Sequence, residues 1–277
     1  MADTPNPFPP QVLPTPLKPA LFKDRVVVVT GGGTGIGRAI ASEFVELGAR
    51  GVAICGRRPE PIEETAQFLR AKGASVFSEV CDIRDADAVA AWVDKVLAQF
   101  GRIDVLINNA GGQFPSPAAG MKPKGFDAVI RNNLSGTFNM THAVANKAMI
   151  PQKSGRIINI IANILRGFPG MAHTGAARAG VENLTKSLAV EWAPYRIQVN
   201  AVAPGTILSS GTDQYDPSLM VRAEQQTPAR RLGSPEEVAH VTCFLCSDAA
   251  DYITGSTVYI DGGAALWGNI WEVFTAD

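Results

Sequence analysis

Short apolar runs and longer stretches of helical spacing take turns along most of the chain. The runs that read as strands are Val26–Thr30, Val52–Cys55, Ser75–Cys81, Val105–Asn108, Arg156–Ile161, Ile197–Val202 and Thr257–Ile260. Several are apolar at successive positions, as in Val26-Val27-Val28-Val29, which is the pattern of strands buried on both faces. Between them, apolar residues recur three and four apart near 36–48, 60–72, 85–100, 122–149, 174–192 and 234–247. This alternation predicts an α/β fold: a doubly wound parallel sheet with crossover helices on both faces, in one domain. The longest irregular region, Thr206–Thr227, follows the sixth strand. A loop of that size in a compact domain suits a substrate lid.

In such sheets ligands gather at the carboxyl ends of the strands. After the first strand comes Thr30-Gly31-Gly32-Gly33-Thr34-Gly35-Ile36-Gly37, and a helix pattern follows at once. Glycines allow a sharp turn and a close backbone approach, and the helix start offers unpaired N–H groups to a phosphate. After the second strand come Arg57 and Arg58. Arg57 lies twenty positions beyond Gly37, where an NAD site carries an acidic residue for the ribose 2′-hydroxyl. Two arginines there favour a 2′-phosphate, hence NADP(H). After the third strand come Asp82, which can accept from the adenine amino group or cap the next helix, and Ile83, which can pack on the ring. After the fourth come Asn108, Asn109, Ala110, Gly111 and Gly112, small residues that suit a turn against the cofactor or an ordinary turn.

Composition narrows the partners. The net charge is −1 and the pI about 6.3, so no basic field argues for nucleic acid or an anionic membrane. No apolar run approaches the ~20 residues that span a bilayer. Seven prolines within residues 1–20 exclude a helix or central strand there. Residues 1–21 are read as a proline-rich arm, either packed on a neighbouring subunit or disordered. The domain is placed at 22–265 and a tail at 266–277. Cys55 and Cys81 fall in strand runs. Cys243 and Cys246 share one face of an apolar helix, the buried face, with no further ligands to suggest a metal or redox site. Nothing points to an oxidising compartment or a targeting address, and a cytoplasmic location is expected.

Together these motifs resemble the short-chain dehydrogenase/reductase family over about residues 22–265. The match comprises T-G-x-x-x-G-x-G at Thr30–Gly37, N-N-A-G at Asn108–Gly111, N-N-L-S-G around Asn133, N-A-V-A-P-G at Asn200–Gly205, and Asp261-Gly262-Gly263. The resemblance implies a seven-stranded doubly wound sheet, a nicotinamide cofactor and a homotetramer. It also places Pro204, Gly205, Thr206 and Ile207 beside that cofactor. Most members carry a serine, a tyrosine and, four residues later, a lysine. Here Ala179-Gly180, which ordinarily follow the lysine, put Thr174 at the tyrosine position and Arg178 at the lysine position. Ile161 or Ala162 fills the serine position. A threonine hydroxyl is far too weak an acid to protonate an alkoxide, and arginine stays charged, although it can still donate to the ribose hydroxyls.

One chemistry survives that loss: reduction of a C=C bond conjugated to a thioester, where charge develops on an oxygen that needs donors rather than a strong acid. The segments Asn108–Ala118 and Gly167–Lys186 resemble peroxisomal trans-2-enoyl-CoA reductases and, more loosely, 2,4-dienoyl-CoA reductases. Glu182 stands where the trans-2-enoyl enzyme has a tyrosine, four residues before Lys186. Asn163 lies near the dienoyl enzymes' separate tyrosine. Pro169–Gly180 and Ser209–Tyr215 resemble citronellol/citronellal dehydrogenases about as closely. The candidates for chemistry are Asn133, to hold a water or a carbonyl; Thr174, to donate to the thioester oxygen or cap its helix; His173, to supply a proton if it faces the site; and Arg178. His142 and His240 read as structural. Three functions follow: an NADPH-dependent enoyl-thioester reductase, an alcohol or aldehyde dehydrogenase of terpenoid or fatty substrates, and a cofactor-binding homologue without chemistry.

Overall fold

The computed structural model describes residues 17–209, 212 and 216–267. The seven strands are β1 Val26–Thr30, β2 Gly51–Gly56, β3 Val76–Val80, β4 Val105–Asn108, β5 Gly155–Ile160, β6 Ile197–Pro204 and β7 Thr257–Ile260. They form one parallel sheet in the order β3-β2-β1-β4-β5-β6-β7. The order reverses between β1 and β4, so the turns after these two strands diverge and leave a crevice. Valines at successive positions of β1 are all fully enclosed, because helices cover both faces. One core layer packs Val27, Val29 and Ile54 against Ile40, Phe44 and Val238. The other packs Val26, Val28 and Leu106 against Trp92, Val93 and Met140.

The helices are α1 Gly35–Glu46, α2 Pro59–Ala71, α3 Ala86–Phe100, α4 at 123–152, α5 Ala172–Glu191, α6 Pro217–Gln225 and α7 Pro235–Cys246. Two of them correct the sequence reading. Helix α4 is continuous but carries two π turns, at Arg131–Ser135 and Ala145–Met149. Helix α6 lies inside the region expected to be irregular. It is capped by Asp216, whose side chain accepts from Ser218 N, and has Pro217 in its first turn. Its apolar residues are few and half-exposed, so periodicity gave little sign of it. At the other end of the chain, Leu17 and Leu21 pack on the core and Phe22 is buried, so the packed domain begins within the stretch assigned to the arm. Cys243 and Cys246 are buried in α7 as expected. Among the described residues no helix is long and apolar enough to cross a membrane, and no His, Cys, Asp and Glu gather as a metal site.

Candidate active site

The carboxyl ends of the strands surround a cleft of about 1030 Å³. Its first wall is the turn from β1 into α1. Gly31 sits at φ +66°, a conformation glycine adopts freely. A Cβ on Gly37 would stand 2.3 Å from the Gly31 carbonyl oxygen and 2.5 Å from Asn109 Nδ2, so the helix can close on the loop only without a side chain there. Thr34 provides no side-chain cap to α1, which leaves first-turn amides facing the cleft without intrahelical partners. This geometry suits a pyrophosphate.

The turn after β4 is fastened to that loop. Thr30 Oγ1 accepts from the amides of Asn109 and Ala110, each at 3.0 Å, and Asn109 Nδ2 donates to the carbonyls of Thr30 (3.0 Å) and Gly31 (3.2 Å). Below it, Asn108 Nδ2 donates to Thr141 Oγ1 (2.7 Å) and Asn159 Oδ1 (2.8 Å), and Asn159 Nδ2 donates to Thr185 Oγ1 (2.9 Å). This buried chain of amides and hydroxyls ties β4 and β5 to α4 and α5.

Every proposed cofactor contact lines the cleft except Asp82. The Asp82 carboxylate is held by Arg84 instead, and the residue that caps α3 is Asp85, which accepts from Asp87 N and Ala88 N. Arg57 and Arg58 are exposed at the cleft edge and take part in none of the ion pairs found among the described residues.

Arg178 reaches the cleft from α5 and is 8% exposed. Its Nη1 donates to the Ile160 carbonyl at 3.0 Å, and its Nε is buried without a partner. Burial lowers its pKa from the ordinary value to about 10, so it remains cationic at neutral pH. A Cβ on Gly111 would lie 2.4 Å from Arg178 Nη2, so the guanidinium fills the space that glycine leaves. A buried cation with an unspent donor beside the phosphate cradle fits a nicotinamide dinucleotide.

The other three catalytic candidates are placed differently from the expectation. Asn133 is fully buried in the first π turn. Its Oδ1 accepts from Gly112 N (2.9 Å) and its Nδ2 donates to Gly112 O (3.0 Å), so both ends of the amide clamp a backbone. Thr174 neither lines the cleft nor caps α5. It is fully buried, one turn inside a helix whose cap position is Met171, and its hydroxyl lies 3.2 Å from His173 Nδ1. His173 is also fully buried. Its Nδ1 accepts from Thr174 N at 2.7 Å, and its ring meets Phe114 edge to face at 4.7 Å. Neither side chain is among those that line the cleft.

The substrate half draws partly on the stretch read as a lid, through Leu219 and Met220, and partly on residues that the sequence did not single out. Gln113 and Pro115 line it on one side, Phe168 and Met171 on another, and Leu219 and Met220 from α6. Asn163 joins them, and its Nδ2 donates to Asp261 Oδ2 at 2.9 Å; Asp261 also accepts from the amides of Gly263 and Ala265. The turn at 261–267 is thereby stitched to the loop after β5. Within the stretch read as a lid, Thr206–Thr227, residues 210, 211 and 213–215 lie outside the described residues, Tyr215 among them. Among the described lining residues there is no Asp, Glu, His, Lys or Tyr; the titratable ones are Cys55, Cys81, Arg57, Arg58 and Arg178.

A family model described as "Enoyl-(Acyl carrier protein) reductase" matches residues 31–265. The chain belongs to the short-chain dehydrogenase/reductase family. Its members are oxidoreductases that bind nicotinamide cofactors and act on small molecules. A probable 2,4-dienoyl-CoA reductase of Bacillus subtilis is 39% identical over 250 residues, covering 88% of this chain and 98% of the relative. The 3-oxoacyl-[acyl-carrier-protein] reductase FabG of Staphylococcus aureus is 40% identical over 237 residues, covering 85% and 96%. Among solved structures, a citronellol catabolism dehydrogenase of Pseudomonas aeruginosa superposes with a TM-score of 0.82 at 43% identity, covering 91% of this chain and 99% of that one. This short-chain dehydrogenase/reductase chain is therefore similar to relatives named for dienoyl-CoA reduction, for oxoacyl-[acyl-carrier-protein] reduction and for citronellol catabolism.

Proposed function

We propose that this short-chain oxidoreductase uses NADPH to reduce the C=C bond of an enoyl thioester. The observation that carries the reading is the absence of a proton-donating acid near neutral pKa among the described residues of the substrate half. Carbonyl reduction must protonate an alkoxide as it forms and needs such a group in place. Reduction of a conjugated double bond does not: the charge spreads onto the thioester oxygen, and the α-carbon takes its proton from water. When bound, the cofactor supplies the hydride. The chain's own parts in that reaction are to hold and to polarise. The loop at 31–37 binds the pyrophosphate on its amides, and Arg57 and Arg58 take the 2′-phosphate. Arg178 donates to the nicotinamide ribose and sets a fixed positive charge in a low-dielectric wall, where charge on a nearby oxygen is stabilised most. Asn133 holds Gly112, and so the turn that faces the nicotinamide end. Thr174 and His173 back this wall rather than touching the reacting atoms. We further infer a cytoplasmic homotetramer, on family resemblance.

The direct test is NADPH oxidation with trans-2-enoyl-CoA esters of graded chain length. Turnover is expected to show no step between about pH 6 and about pH 9 from a proton donor beside the substrate, since no Asp, Glu, His, Lys, Cys or Tyr lines the described substrate half. No turnover at any length by folded, NADPH-bound protein would exclude it. The likeness to the citronellol catabolism dehydrogenase favours a second reading, oxidation of a branched terpenoid alcohol. NADP⁺ reduction with citronellol, together with inertness toward enoyl-CoA, would select it. Inertness toward both, with cofactor bound, would leave a homologue without chemistry.

A further inference from the structure

The adenosine end of the cleft carries a third arginine that the sequence reading passed over. Arg84 folds back onto Asp82. Its Nε donates to Oδ1 at 2.9 Å and to Oδ2 at 3.0 Å, its Nη2 donates to Oδ2, and its backbone N donates to Oδ1 at 3.0 Å. The carboxylate so held lies in the turn after β3, between Cys81 and Ile83, which both line the cleft. The turn after β2, with Arg57 and Arg58, runs beside it: Gly56 is in register with Val80, and Cys81 N donates to Gly56 O at 3.0 Å.

A bare carboxylate in this place would act twice against a 2′-phosphate. It would draw the Arg57 guanidinium across the gap, and it would repel the phosphate itself. Two other carboxylates near this turn have partners of their own: Asp85 caps α3, and Glu79 pairs with Lys95. Asp82 is the acid in the turn after β3 whose charge Arg84 neutralises. Its pKa is held below the usual range, first by the hydrogen bonds from Arg84; Arg57 and Asp82 stand in adjacent turns because each directly follows one member of the hydrogen-bonded pair Gly56 and Cys81. Capping of α3 does not explain the pair, since Asp85 does that work.

We propose that Arg84 is a positioning residue for cofactor choice: by occupying Asp82 it leaves Arg57 free to take the 2′-phosphate of NADP(H). The inference rests on the NADP(H) reading above. Both partners are about one-third exposed, so the effect is that of a partly screened charge pair rather than a buried one.

The experiment measures dissociation constants of NADPH and NADH for wild type, Arg84→Gln, Arg84→Gln with Asp82→Asn, and Arg57→Ala, by fluorescence titration at low and high salt. For Arg84→Gln the preference for NADPH is expected to fall about fivefold, equivalent to about 1 kcal/mol, and to fall less at high salt. Adding Asp82→Asn should restore the preference, because the acid that Arg84 masks is gone. A merely structural role would weaken both cofactors alike, and that result would overturn the proposal. So would a double variant no better than Arg84→Gln. If wild type shows no preference for NADPH and Arg57→Ala changes nothing, the NADP(H) reading itself fails. If Arg57→Ala removes the preference and Arg84→Gln does not move it, only the role of Arg84 fails.

Discussion

Arg178 shows how much a single side chain can carry against the stability of the fold. It is a buried cation, and among the described residues its side chain pairs only with the Ile160 carbonyl. Because the folded guanidinium holds its proton less tightly than the unfolded one, the unfolded state binds more protons above about pH 10, and stability from this group rises with pH through that window. At neutral pH the full penalty is present. Arg178→Met is therefore expected to stabilise the cofactor-free protein by about 1–2 kcal/mol at pH 7, after allowing about 1 kcal/mol for the lost hydrogen bond. Urea denaturation measures this, and the same variant should lose most of its hydride-transfer rate. An equal or lower stability would mean that water or a neighbour already compensates the charge. The residue's position was legible from the alanine and glycine that follow it. Its fit against Gly111 was not, since no local pattern relates a turn after β4 to a helix sixty-seven positions later.

At the scale of elements, the π turn at Arg131–Ser135 decides what Asn133 does. A π turn widens the helix and re-aims one side chain, and such turns gather at functional sites. Here the re-aimed amide meets Gly112 with both its donor and its acceptor. Asn133→Ala would leave a backbone N–H and C=O unpaired, and a loss of roughly 2–4 kcal/mol is expected, with faster hydrogen exchange across residues 109–117 and a raised KM for cofactor. Unchanged exchange in that turn would show that the clamp is not needed. The sequence motif singled out Asn133 as a candidate to hold a water or a carbonyl. Its bonds to Gly112 were not legible, because helical periodicity assumes the 3.6-residue turn that is broken there. The strands were read almost to the residue, since parallel strands buried on both faces are continuous apolar runs. Helix α6 was missed because a short helix over the mouth of a cleft needs few buried positions.

The whole molecule places its ligand loops at one end of the sheet and its core elsewhere, so cofactor binding should stabilise the fold as a unit. NADPH at about 100 times its dissociation constant is expected to add about 2.7 kcal/mol, read as a concentration-dependent rise in Tm, and Arg57→Asp should erase the rise for NADPH while sparing that for NADH. An equal rise with both cofactors in that variant would remove Arg57 from the phosphate site. The parallel sheet with helices on both faces was legible from the alternation of elements; its strand order was not. The closure of the substrate half was not, because Asn163 and Asp261 are 98 residues apart. That separation has a consequence for synthesis on the ribosome. The walls for phosphate and adenosine come from residues 31–112, whereas the substrate wall waits for the turn at 261–267 to fasten the loop after β5. A nascent chain therefore carries the cradle for its cofactor well before it has a place for anything to be reduced.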